Sequence, residues 1–214
     1  MKKHILYSFR RCPYAIRARW ALISCNVDIE IREVDLKNKP DELLKKSKEK
    51  TVPLLLLNNG TVIDQSFNII LWALSTKNNN YLEKYYSEEN RTGIRKLIKI
   101  NDEIFKIHLD KFKYSSRYID SERDIHFKKS QIIINHWNSL LKKSKGSSYW
   151  LMGEETIADW CIFPFVRQYK IACIQQKISN YFAEPIHTWL NYFENNQIFK
   201  RTMHKYSIWD ENLS

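Results

Sequence analysis

Ile5-Leu6-Tyr7-Ser8-Phe9-Arg10-Arg11-Cys12-Pro13-Tyr14-Ala15-Ile16-Arg17-Ala18-Arg19-Trp20-Ala21-Leu22-Ile23-Ser24-Cys25 is the stretch on which the reading of this chain turns. A short apolar strand runs to Ser8. A basic turn follows, and Cys12 sits where a helix begins. Pro13 suits the first helical position, because its missing N–H would have no partner there. The first N–H groups of a helix are unpaired and carry partial positive charge. A thiolate accepts those groups, and helix N-terminal cysteines beside cations fall to pKa ~3.5–7.5 from ~8.5. Arg10 and Arg11 add to the effect, so Cys12 is expected to be a nucleophile at neutral pH. The residue at position 15 is Ala, not the second Cys of a Cys-x-x-Cys redox pair. An external thiol must therefore resolve whatever Cys12 forms.

Working outward, Val27 to Val34 alternates apolar and polar residues, the period of a second strand. Strand, helix, strand implies a parallel pair joined by a right-handed crossover. Pro40 can open a short helix over 41–46. Thr51-Val52-Pro53-Leu54-Leu55-Leu56-Leu57 reads as an apolar strand led by proline, which is tolerated at a strand's first residue. Asn58-Asn59-Gly60 is a hairpin turn, and Thr61-Val62-Ile63 is the antiparallel return strand. Asp64-Gln65-Ser66 opens a helix to about Ser75, with Phe67, Ile70, Leu71 and Leu74 as its apolar face. Ser66 is expected at or near the N-cap, where its hydroxyl and the neighbouring N–H groups can hold a carboxylate.

From residue 88 onward only helical signals appear. Ile100, Ile104 and Ile107 recur at helical spacing. Ser121-x-x-Asp124 reads as a helix cap, and Gly146-Ser147-Ser148 as a break. Thr156-x-x-Asp159 is a capping-box pattern, and Pro164 falls inside the helix it opens, where a bend is expected. Phe105, His108, Phe112 and Tyr114 are candidate second-substrate contacts, with core packing as the plainer reading. Trp209 is a candidate for closing a cleft.

The 214 residues carry 35 Lys and Arg against 24 Asp and Glu, a net charge of +11. That excess is spread along the chain without a dense basic tract, so nucleic acid is not expected as a partner. A diffuse positive field still attracts small anions. No apolar run approaches the ~20 residues of a membrane helix, and no secretory leader precedes Ile5. The four cysteines are too scattered for a disulfide framework, and the six histidines lack ligand spacing, so no metal is expected. A cytoplasmic location follows.

The Cys-Pro-Tyr-Ala segment at 12–15 resembles the cysteine-type cytosolic glutathione transferases, omega-like and related bacterial members. The likeness extends over nearly the whole chain. It implies the glutathione transferase fold: an α/β thioredoxin-like domain over residues 1–76, a linker at 77–87, and an all-α C-terminal domain over 88–214. Leu36-Lys37-Asn38-Lys39-Pro40 resembles the omega-type string whose lysine contacts the glycine end of glutathione; the matching residue is Lys39. The resemblance implies a cis bond before Pro53, exposing the Val52 backbone for strand-like pairing with the peptide. Gln65-Ser66 matches the pair that grips the γ-glutamyl end, although omega members carry Glu at the first position. Tyr14 would line the site.

Three functions follow from this likeness. The first is glutathione-dependent thiol transfer through a Cys12 mixed disulfide, with dehydroascorbate reduction as a related activity. The second is conjugation of glutathione to an electrophile, with Tyr7 or Ser8 as the hydrogen-bond donor to the glutathione sulfur. The third is a non-enzymatic binding or regulatory role. Glutathione as cosubstrate and a homodimeric assembly are further implications, while the second substrate stays open.

Overall fold

The computed structural model of the chain describes residues 3–114, 120–144 and 149–210, with side chains at 120 and 121 outside the description. By contact, the chain divides into two compact units, Met1–Leu82 with Asn196–Ser214, and Glu83–Asn195.

The first unit is built on a four-stranded sheet of order β2-β1-β3-β4. Its strands are β1 (His4–Ser8), β2 (Ile29–Glu33), β3 (Leu54–Leu56) and β4 (Val62–Asp64). β1 runs parallel to β2 and antiparallel to β3, and β3 is antiparallel to β4. The crossover between the parallel strands is helix α1 (Pro13–Ser24), as the periodicity predicts. Its apolar run Ala15, Ile16, Ala18, Trp20, Ala21 and Leu22 is almost wholly buried, packed against α3 (Ser66–Ser75). Short helix α2 (Asp41–Lys46) opens on acidic residues and ends on Lys45 and Lys46, matching the helix dipole at both ends. The topology is thioredoxin-like.

Two local expectations shift. The buried face of α3 is Ser66, Ile69, Ile70, Ala73 and Leu74, while Phe67 and Leu71 are only partly covered. The stripe is rotated because Ser66 itself points inward to a buried guanidinium. The stretch 77–87, expected as a linker, contains helix α4 (Asn79–Tyr85), which straddles the division.

The last segment of the chain, expected in the helical domain, groups with the first unit. Helix α10 (Gln197–Thr202) packs on α1. Beyond it, the Trp209 N–H donates to the Glu33 carbonyl at 2.9 Å. Ile208 bridges Glu33 in parallel, so the segment covers the exposed edge of β2. The Trp209 ring lies 4.1 Å from the Arg32 guanidinium carbon and meets Tyr7 edge-on at 5.8 Å. Its partners here are residues of the sheet.

The second unit is helical. α5 (Arg91–Ile100) continues through a π-helical turn, Asn101–Phe105, into α6 (Lys106–Lys113). α7 (Asp120–Leu141), α8 (Ile157–Gln175) and α9 (Glu184–Asn195) complete it. The capping box at Thr156 and Asp159 is formed as its spacing predicts, and Pro164 lies buried inside α8. Asp159 does more than cap: it accepts the Leu151 N–H at 3.1 Å, the Thr156 N–H at 2.9 Å and the Trp189 indole at 2.9 Å. Ser121, expected as a cap, falls inside α7 with its side chain outside the description, and the break at Gly146-Ser147-Ser148 lies outside the described residues. Among the described residues no helix is long and apolar enough to cross a membrane.

Candidate active site

The strand register gathers the expected residues at one end of the sheet. Tyr7 stands opposite Leu54, and Leu54 opposite Asp64. One row therefore carries three chain exits: the turn from β1 to Cys12, the entry Val52-Pro53 into β3, and the Gln65-Ser66 corner after β4. Loops at strand ends are where such folds place ligands.

Cys12 is the N-cap of α1, in extended backbone conformation, with Pro13 at the first helical position. Its N–H donates to the Phe9 carbonyl at 3.0 Å, and its carbonyl accepts the Ile16 N–H at 2.9 Å. It is half-buried, whereas Cys25, Cys161 and Cys173 are buried. Burial pushes the Cys25 thiol up to about 11 and Cys173 to about 12, so both stay neutral at ordinary pH. None of the four is in a disulfide.

The Val52–Pro53 peptide bond is cis. Gln65 precedes α3 with φ at 68° and ψ at 123°, a left-handed conformation that glutamine rarely adopts. Such a residue costs of order 1–3 kcal/mol and recurs at ligand clamps. Its N–H donates to the Asp64 carboxylate at 3.0 Å. Gln65 is the N-cap and Ser66 the first helical residue, one position later than the N-cap reading of Ser66. Ser66 is 2% exposed, and its Oγ accepts from Arg17 Nε at 2.9 Å. The same guanidinium lies 4.8 Å from the Tyr14 ring centre. Arg17 thus joins Tyr14 and Ser66. Lys39 reaches across to the Lys50 carbonyl at 2.9 Å, two residues before Val52.

Tyr7 and Ser8 are fully buried. The Tyr7 hydroxyl donates to the Glu42 carboxylate and accepts from Arg32 Nη1 at 2.9 Å. Burial, then the Glu42 bond, pushes that phenol well above its ordinary value. The Ser8 hydroxyl accepts from Arg19 Nη1.

Residue-by-residue reading of the sequence missed Arg17, Arg19 and Glu33, all buried. The available signal was two arginines spaced i, i+2 inside an otherwise apolar helix. Neither could lie on a solvated face if the helix were buried all round. The candidate second-substrate residues separate in the other unit. Phe105 and Phe112 are core, at 0% exposure. His108 Nδ1 stands 2.9 Å from His126 Nδ1, and burial lowers both histidines. Tyr114 is exposed beside Lys113. Among the described residues no group of three or more His, Cys, Asp or Glu could hold a metal ion.

Residues 6–81, which contain every residue expected to hold glutathione, match the family model of the glutathione S-transferase N-terminal domain. A relative from Aplysia californica, described as a probable glutathione transferase, is 28% identical over 102 residues, 48% of this chain and 100% of that protein. Ure2p in complex with glutathione superposes with a TM-score of 0.80 at 15% identity, covering 94% of this chain and 98% of that one. A glutathione transferase family member from Pseudomonas fluorescens pf-5, with two glutathiones bound, gives 0.77 at 16%, covering 94% and 92%. The chain has the glutathione transferase fold, a thioredoxin-like unit with a helical one.

Proposed function

We propose that the chain is a glutathione-dependent thiol transferase working through Cys12. The observation that carries this reading is a contrast of access. Cys12 is only partly buried at a helix N-cap, while the hydroxyls of Tyr7 and Ser8, the rival donors, are fully buried in bonds to Glu42, Arg32 and Arg19. A donor to the sulfur of glutathione must reach it, and neither hydroxyl does from there.

In this reading glutathione lies along the row of strand ends. The Gln65-Ser66 corner at the start of α3 meets the γ-glutamyl carboxylate, with Arg17 held on the Ser66 hydroxyl behind it. The Val52 backbone pairs with the peptide at Pro53, Tyr14 lines the wall, and Lys39 meets the glycine carboxylate. The Cys12 thiolate attacks the glutathione sulfur of a mixed disulfide. A Cys12–glutathione bond forms, the other sulfur leaves with the electron pair, and it takes a proton from solvent. A second glutathione thiolate then attacks the bound glutathione sulfur, releasing oxidised glutathione and the Cys12 thiolate. Two-electron reduction of dehydroascorbate belongs to the same cycle. Four cysteines with no disulfide among them suit a reducing, cytoplasmic compartment. A homodimer belongs to this reading too, supported by exposed Ile125 and Ile132 on α7; sedimentation velocity reads it directly.

The test is turnover of a small glutathione mixed disulfide by wild type and Cys12→Ser, with intact mass on both. Loss of at least a hundredfold in rate, and of a single glutathione adduct, is the expected outcome. Full activity in the variant sinks the mechanism, and a gain of conjugation would point to Tyr7 or Ser8.

A further inference from the structure

We infer that Arg19 is a positioning residue for Cys12: its guanidinium clamps the turn that carries the thiol and brings a buried positive charge to that turn, in competition with Glu33. The functional meaning rests on the thiol-transfer reading, but the test below reads the thiol itself.

Arg19 is 1% exposed and Glu33 8%. Between them they hold one peptide unit on each side of Arg10. The Arg10 N–H donates to Glu33 Oε1 at 2.7 Å, and the Arg10 carbonyl accepts from Arg19 Nη2 at 2.7 Å. Arg19 Nη1 also holds the Ser8 hydroxyl, at the end of β1. The turn from Ser8 to Cys12 is thus fixed by two buried side chains of opposite charge, one from α1 and one from β2. Arg19 Nε and Glu33 Oε2 are left buried without a hydrogen-bond partner. A charge buried this deeply is little screened by water, so the guanidinium is a strong counter-charge for anions near it.

The titratable groups whose charges act on Arg19 are Glu33 from β2, Cys12 and Arg10 from the turn, and Tyr206 from the C-terminal segment. Burial pulls Arg19 down to about 10, while Glu33 and then Cys12 pull it back up. It stays cationic at neutral pH. The attraction is mutual, so Arg19 favours the Cys12 thiolate. Glu33 disfavours it by like charge and by drawing on the same guanidinium. Arg11, by contrast, is exposed.

Opposite charges give opposite signs, which a merely structural role does not. The measurement is the pH dependence of iodoacetamide alkylation at Cys12, located by peptide mass, on full-length wild type, Arg19→Met, Arg19→Lys and Glu33→Gln. Arg19→Met moves the inflection up by about one unit, roughly tenfold slower alkylation below it. Glu33→Gln keeps an acceptor for the Arg10 N–H and moves it down. Arg19→Lys stays near wild type. An unmoved inflection in folded Arg19→Met, or an upward shift in both neutral variants, overturns the inference. If Arg19→Met fails to fold, Glu33→Gln decides: a downward shift supports the inference, and an unmoved or raised inflection overturns it. A wild-type inflection near ~8.5 with no glutathione adduct would defeat thiol transfer, and the shifts between variants would still judge Arg19.

Discussion

Asp159 shows how much one residue of this chain can carry. It is wholly buried, yet it accepts two backbone N–H groups and an indole N–H. Burial raises its carboxyl from 3.8 to about 6, against the pull of the Thr156, Leu151 and Trp189 donors. The folded protein therefore holds a proton that the unfolded chain releases between those values. The stability this contributes is fully present below pH 3.8 and lost as pH rises through about 6. In urea unfolding, wild type should gain on Asp159→Asn as the pH falls from 7 to 4, by up to about 3 kcal/mol. A gap that stays flat with pH would contradict the raised carboxyl.

At the scale of elements, α5 contains a glycine that its backbone does not need. Gly93 lies within α5, and a Cβ there would meet only the Met152 side chain, its Sδ at 3.7 Å and its terminal Cε at 2.8 Å. That atom is the free end of a flexible side chain, which can swing aside. Helix propensity favours alanine over glycine by about 1 kcal/mol. Gly93→Ala should therefore raise stability by a few tenths to about 1 kcal/mol, read as a higher urea midpoint at unchanged slope. A lowered midpoint would mean that Met152 is held in place. The corner at Gln65 is the reverse case: there the backbone is left-handed without a glycine. An element end that keeps such strain is one whose geometry the surroundings dictate.

At the scale of the molecule, the first compact unit is discontinuous in sequence. A fragment ending at residue 82 lacks α10, which packs on α1, and the segment that covers β2. It should show no cooperative thermal transition by circular dichroism, whereas adding residues 196–214 through a flexible linker should restore one. A cooperative 1–82 fragment would show that the returning segment is dispensable. The helical unit, Glu83–Asn195, is continuous and its core needs no such return.

The sequence by itself determined the four strands, the helices α1 to α3, and the place of Cys12 at the start of α1. Alternation, helical spacing, an Asn-Gly turn and a proline after the cysteine are local signals, and local backbone preference acts over a few residues. The capping box at Thr156 was legible for the same reason. Only the tertiary structure decided what the charged residues do. Arg17 and Arg19 are two letters apart, but one joins Ser66 and the other the turn before Cys12, because residues two apart in a helix face different neighbours. Glu33 reads as the polar half of an alternating strand and is instead buried against the Arg10 peptide. The return of residues 196–214 to the sheet edge was invisible too. Its partners lie more than a hundred residues back, and a pairing across that distance is set by which edge is left open when the rest has folded.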